Sequence, residues 1–208
     1  MIMNRLKMLV ISQWVFLGFG LILSQSVLSG QDPHALVKDT TEKMFSILKR
    51  DRDALVKSPE KVVPLVEELL LPHFDFHIMS RSVLGKNWKQ ASETQKQDFS
   101  TAFRNLLVRT YAKALLEFVD VKIDYLPGKE NPKRKVLVKT EVEQPGGVPI
   151  PLDYRLRETD KGEWLIYDVI IDGLSLVIKY RSSFKRQIAK NSLDQLIESL
   201  KSGNVSRK

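Results

Sequence analysis

From residue 92 to residue 118 the apolar residues recur at steps of three and four: Phe99, Ala102, Phe103, Leu106, Leu107, Tyr111, Ala114, Leu115 and Phe118. Lys96, Asp98, Arg104, Asn105, Arg109, Lys113 and Glu117 fall mainly on the other side. The pattern predicts one long amphipathic helix lying on an apolar surface, opened by a capping box formed by Ser92 and Gln95. Such a helix is either an ordinary core element or one wall of a cavity.

Upstream, residues 33–56 carry Leu36, Thr40, Met44, Ile47, Leu48, Leu55 and Val56 among many charges, which predicts a first amphipathic helix that frays around residues 51–53. Ser58 followed by Pro59 opens a second helix through Val62, Val63, Leu65, Val66, Leu69 and Leu70, and Pro72 stops it. From Phe74 a short third helix ends near Gly85, with Phe74, Ile78, Val83 and Leu84 inward and Trp88 closing the turn.

At Val121 the period changes from helical to alternating. Residues 121–126 alternate, and residues 135–143 alternate again through Val136, Val138, Thr140 and Val142. Leu152, Tyr154 and Leu156 then alternate with Asp153, Arg155 and Arg157. Asp160, Lys161 and Gly162 turn the chain into residues 164–172, which are apolar at nearly every position. Four strands joined by hairpin-like turns imply an antiparallel meander. Residues 173–180 read as a bend into a fifth strand, residues 182–190 as a short helix, and Ser192 as the cap of a last helix through Leu193, Leu196, Ile197 and Leu200. Helices first and an antiparallel sheet second make an α+β domain, with helices packed around a curved sheet of four or five strands.

Composition narrows the setting. A chain of 208 residues forms one domain with a proper core. The lack of cysteine removes disulfides, thiolate metal sites, a cysteine nucleophile and a lipidated N-terminal cysteine. Arg5 and Lys7 precede an apolar run from Met8 to Leu23, followed by small and polar residues, which is the layout of a secretory signal peptide. We therefore expect a leader over residues 1–30 cut between residues 26 and 31, a single domain over residues 31–201, and a disordered tail over residues 202–208. An uncleaved anchor is the alternative, and the run is short for a bilayer span of roughly 20 residues. Without the leader the chain keeps a net charge of about +6. For an exported protein that charge suits an anionic lipid surface better than nucleic acid, or serves solubility alone.

Reactive chemistry is sparse. His73 and His77 lie four residues apart with Asp75 between, but the glutamate of HExxH is missing and the only other histidine is His34, so two polar residues at a helix start are the better reading than a metal site. Asp168, in the middle of an apolar strand, is either a general acid or base of raised pKa or a structural acid paired with an arginine or with backbone amides. No second acid, nucleophile pattern or phosphate-cradling glycine loop accompanies it. Aromatic and branched apolar residues are instead in surplus.

The residues carry a resemblance. The stretch over residues 69–118 has a helix-ending Leu70-Leu71-Pro72, an aromatic and an acid soon after, Val83-Leu84-Gly85 followed by Trp88, a polar turn, and a long helix bearing Phe103 and Arg104. Residues 162–177 add an aromatic, the pair Tyr167-Asp168, and the turn Gly173-Leu174-Ser175. Together these resemble the periplasmic toluene-tolerance family, which includes the soluble phospholipid-binding component of the Mla lipid-asymmetry system. The resemblance implies a cone-like fold with a deep apolar pocket that takes acyl chains and leaves the head group at its mouth. It implies a non-enzymatic periplasmic carrier trafficking phospholipid between an outer-membrane lipoprotein complex and an inner-membrane ABC transporter with its lipid-binding subunit, and so maintaining outer-membrane asymmetry. Some relatives are linked with hopanoid lipids. No cofactor, metal or nucleic acid is implied.

On that reading the expected lipid-lining residues are Phe74, Ile78, Trp88, Phe103, Leu107, Tyr111, Val138, Tyr154, Leu156, Tyr167, Val169, Leu174 and Val177, with the inward face of each strand left open because register is not set by one sequence. Plain core packing is the alternative use of each. Every buried methylene contributes about 0.8 kcal/mol, so acyl burial alone supplies affinity and no charged clamp is needed. Two chains call for a pocket of about 1,000 Å³. The other reading is a cone-fold enzyme using Asp168 on a hydrophobic substrate. The basic run Lys179, Arg181, Lys185, Arg186 and Lys190 is a candidate docking face or simply a solvated one.

Overall fold

The computed structural model describes residues 32–128, 134–144 and 146–204. The expected leader lies outside the described residues, as does the end of the expected tail.

Among the described residues eight α-helices and six strands follow the expected order, helices first. Helix α1 (Pro33–Arg50) is capped by Asp32, whose side chain accepts from the His34 and Ala35 N–H groups. It breaks at Asp51 into α2 (Arg52–Lys57), where fraying was expected. A 3-10 turn at Pro59–Lys61 leads into α3 (Val62–Leu69), and a second at Leu71–His73 follows at the proline stop. Helix α4 (Phe76–Leu84) ends on Gly85 at φ 56°, a left-handed conformation that glycine adopts without penalty. The residues after it, expected as a turn, form a short helix α5 (Lys86–Gln90).

The long helix α6 (Glu93–Tyr111) starts on the capping box, with Gln95 N–H to Ser92 Oγ at 3.1 Å and Ser92 N–H to Gln95 Oε1 at 3.0 Å. It stops about two turns short of Phe118. The Thr110 hydroxyl donates back to the Leu106 carbonyl at 2.7 Å, a bond that competes with the helix, and the chain tightens into a 3-10 turn at Lys113–Leu116.

The sheet runs β1 (Ile123–Tyr125), β3 (Thr140–Val142), β4 (Ile150–Glu158), β5 (Trp164–Ile171), β6 (Leu174–Ser175), with β2 (Lys135–Val138) also on β4, and all pairs are antiparallel. Six strands replace the four or five expected. The run over residues 135–143 is interrupted at Lys139, whose carbonyl accepts from Leu126 N–H at 3.0 Å while the Thr140 hydroxyl donates to the Leu152 carbonyl. Its two halves therefore pair with opposite ends of β4.

Between β5 and β6 stands a two-residue turn, Asp172 and Gly173, both at positive φ (49° and 75°), the conformation that matches strand twist. The expected fifth strand shrinks to two residues because a helix begins at once: α7 (Leu176–Lys190) takes over residues 176–180. Its cap is Ser175, whose hydroxyl accepts from Ile178 N–H at 3.1 Å. Helix α8 (Leu193–Ser202), capped by Ser192, closes on Gly203 and so includes Ser202, where the tail was expected to begin.

Apolar packing falls into three clusters. Met79, Phe99, Phe103 and Phe184 centre a cluster of α4, α6, α7 and α8; Met44, Leu48, Val62 and Val66 join α1 to α3; Leu36 and Val37 of α1 lie on Val136, Val138, Leu156 and Ile166 of the sheet. Among the described residues no helix is long and apolar enough to cross a membrane.

Candidate functional site

Where the three clusters meet, the centre is hollow. A cavity of about 320 Å³ is walled by α1 (Thr41, Met44, Phe45), by the segment from α3 into α4 (Leu70, His73, Phe74, Met79), by the end of α6 and its turn (Leu107, Tyr111, Phe118), and by the inner face of the sheet (Ile150, Leu152, Tyr154, Ile166, Val169, Ile171). Most of these side chains are apolar, and Thr41, His73, Tyr111 and Tyr154 are the polar-bearing ones among those named. Several, such as Leu107, Tyr111, Leu152 and Val169, remain partly accessible in the middle of the domain, because they face empty space and not one another.

Strand β5 reaches this wall through a bulge. Leu156 pairs with Ile166, but the neighbouring Arg155 pairs with Asp168, so Tyr167 has no partner opposite. The extra residue shifts the alternation, and both Ile166 and Val169 face the cavity although they lie three apart.

Phe74, Leu107, Tyr111, Tyr154 and Val169 of the expected wall line the cavity. The others do not. Phe103 is fully buried in a solid ring cluster, 5.8 Å from Phe99, 5.3 Å from Tyr180 and 6.0 Å from Phe184 between centroids, one helical turn from the cavity-facing Leu107. Val138 and Leu156 share the inward face but are buried against Leu36 and Val37 in the sheet cluster and do not line the cavity. Ile78 is turned about 100° around α4 from Met79. Tyr167, the bulged residue, packs instead against the helical cluster around Met79 and Phe103, with the Lys135 ammonium 5.8 Å from its ring. Trp88 sits beyond the Gly85 turn. Because α7 starts at Leu176, that residue takes the cavity position while Val177 packs among the helices, and Leu174 on the edge strand is 68% exposed. Sequence reading missed Met44, Phe45, Leu70, Ile150 and Ile171 as wall; their apolar periodicity marks them as inward, and nothing in it distinguishes a void from a neighbour.

Polar groups touch the cavity at few points. Burial raises the phenol of the cavity-lining Tyr154 and pushes that of Tyr125, which is outside the lining, up to about 12, with Thr41 offsetting part of both effects. His73 is held below the ordinary histidine value, first by burial and then by the nearby Lys43 charge. His77 instead stands edge-on to Trp88 at 5.1 Å, so the two histidines do not converge. Among the described residues no three His, Asp or Glu side chains come together as a metal site.

Asp168 is the structural acid. It is 2% exposed and faces away from the cavity. Its carboxylate accepts from Ser175 Oγ at 2.6 Å, Val177 N–H at 3.1 Å and Arg155 Nη1 at 2.9 Å. Three donors engage both of its oxygens and anchor the start of α7 to β5. Asp75 works in the same way at α4, capping Ile78 N–H at 2.9 Å and pairing with Arg157 at 2.6 Å. The residues of the basic run on α7 are all exposed.

Comparison with known proteins agrees with this geometry. The chain is 26% identical over 179 residues to the intermembrane phospholipid transport system binding protein MlaC of Haemophilus influenzae, covering 85% of this chain and 84% of the relative. It is 27% identical over 167 residues to the toluene tolerance protein ttg2D of Pseudomonas putida, covering 80% and 77%. A solved structure of a phospholipid-binding protein from Ralstonia solanacearum, in complex with a phospholipid, superposes with a TM-score of 0.75 at 31% identity, over 82% of this chain and 96% of that one. A family model described as MlaC protein matches residues 38–202, and the chain accordingly belongs to the MlaC family.

Proposed function

We propose that this protein is a periplasmic phospholipid carrier. The observation that carries the reading is the largely apolar cavity at the meeting point of the three apolar clusters, in a chain whose relatives include a phospholipid transport protein and a structure solved with phospholipid bound. Acyl chains enter the cavity and the head group stays at its mouth, with about 0.8 kcal/mol gained per methylene buried. Affinity therefore needs no charged clamp. Release becomes the demanding step, which calls for partners that open the cavity or offer another apolar surface. Those partners are an outer-membrane lipoprotein complex and an inner-membrane ABC transporter with its lipid-binding subunit, and the traffic between them maintains outer-membrane lipid asymmetry. Export by the leader over residues 1–30 puts the carrier between the two membranes.

The cavity volume lies near the lower limit of ordinary ligand sites, about 300 Å³, and below the roughly 1,000 Å³ anticipated for two chains. Mass spectrometry of a solvent extract of the purified protein tests the proposal. Stoichiometric phospholipid is the expected result, and a lipid-free extract from protein purified without detergent overturns it. The acid–base reading of Asp168 has no support, since its oxygens are engaged by three donors away from the cavity.

A further inference from the structure

Four helices each bring one cation to a second concavity, a cleft of about 530 Å³ that shares no residue with the apolar cavity: Arg81 from α4, Lys89 from α5, Lys96 from α6 and Arg181 from α7. Gly85, Ser82 and Trp88 complete its lining. Trp88 is 8% exposed, braced edge-on by His77, with the Lys96 ammonium 5.7 Å from its ring centre. A Cβ at Gly85 would stand 3.2 Å from the Arg181 guanidinium, so the glycine leaves room for that group to lie against the turn.

Among the described residues some cations are charge-matched and others are not; what sets the cleft apart is that four cations line one concavity. Lys122, Arg134, Arg155, Arg157 and Lys201 each hold a carboxylate. Among the described residues Arg81, Lys89 and Arg181 form no ion pair, while Lys96 is held at 2.7 Å by Glu93, which is itself exposed. Like charges lining one concavity repel each other and focus a positive field into it. An anion placed there turns that repulsion into attraction.

We propose that this cleft binds a phosphate-bearing group. Two guanidinium groups offer the forked N–H geometry that fits phosphate oxygens, the two lysines act as point charges, and the Trp88 ring packs against whatever carries the phosphate. A phosphate presents more acceptor oxygens to these donors than a carboxylate does. The same chemistry is offered by the head group of an anionic membrane lipid and by a soluble phosphate. The site goes beyond the carrier reading and does not depend on it, because its residues are separate from the acyl cavity.

The test is titration of the purified protein with inorganic phosphate and with glycerol 3-phosphate at constant ionic strength, following the Gly85 amide and Trp88 indole resonances, alongside sedimentation with vesicles of phosphatidylglycerol in phosphatidylcholine. The double variant Arg81→Gln with Arg181→Gln is expected to weaken binding by about tenfold or more. The charge-matched variant Lys179→Gln with Lys190→Gln, which alters exposed α7 cations outside the cleft, is expected to change it by less than about twofold. Saturation by the soluble phosphates supports the site with a free phosphate as ligand, and saturation by vesicles alone supports it with a lipid head group. Absence of saturable binding in every arm overturns it. So does an equal loss in both double variants, which marks diffuse electrostatics, or saturation by an acidic peptide alone, which marks protein docking. Lipid co-purifying in the acyl cavity is unaffected by either variant, so failure here leaves the carrier proposal standing.

Discussion

Asp168 shows what a single side chain does for this fold. A carboxylate in an apolar strand invites a catalytic reading, yet its three donors tie β5, β4 and the first turn of α7 together. Removing one partner of such a buried pair leaves the rest uncompensated, and Asp168→Ala is expected to cost about 3 kcal/mol or more in urea unfolding. Arg155→Gln should cost less, since the arginine side chain is 40% exposed and its neighbour keeps two donors. Equal costs would mean that Arg155, and not the helix start, is the main support. His73 supplies the pH dependence. Its folded pKa lies below the ordinary value because burial and Lys43 disfavour the imidazolium, so the unfolded chain takes up the proton first on acidification. The stability this contributes is fully present above the ordinary histidine pKa, near 6.5, and is lost as pH falls through the folded value. Tm measured between pH 7 and pH 5 should therefore drop less in His73→Gln than in the native protein.

Among the elements, the helix starts were the most legible in sequence and the transition from β5 to α7 the least. Ser92 and Gln95 define the start of α6 by local chemistry alone, and the structure shows both bonds. The start of α7 also has a capping serine, but the residues after it, Leu176 to Tyr180, contain Val and Ile that suit a strand equally well. What decides for helix is Asp168, seven residues earlier than Ser175, whose carboxylate holds the Ser175 hydroxyl and the Val177 N–H. Ser92→Ala should cost about 1 kcal/mol, the ordinary worth of a cap. Ser175→Ala should cost more, about 2 kcal/mol or above, because it also leaves a buried carboxylate short of a donor. Chemical denaturation of the two variants side by side checks the order. The bulge at Tyr167 is the other element-scale decision, since one unpaired residue moves Val169 onto the same face as Ile166.

At the scale of the molecule, the question is which apolar surface meets protein and which meets the cavity. Phe103 and Leu107 lie one turn apart on α6 and answer it differently. Phe103→Ala opens a hole in a solid cluster and should cost about 3–5 kcal/mol of stability while the lipid bound per folded molecule is unchanged. Leu107→Glu, like Val169→Asp, puts a charge into the cavity and should abolish co-purified lipid while the circular dichroism spectrum stays native. Extraction and mass spectrometry on both variants separates the two roles, and native-level lipid in Leu107→Glu would place the acyl chains elsewhere.

By itself the sequence determined the element order, the α+β class, the capping of α6, and the family through its paired motifs, because these rest on periodicity and on contacts between residues a few positions apart. Only tertiary structure decided which inward residues surround a void. Periodicity reports that a side chain turns away from water, and Phe103 and Leu107 satisfy it equally. Whether the space beyond is filled depends on how far α1, α6 and the bulged sheet stand from one another, a distance set by packing among segments remote in the chain.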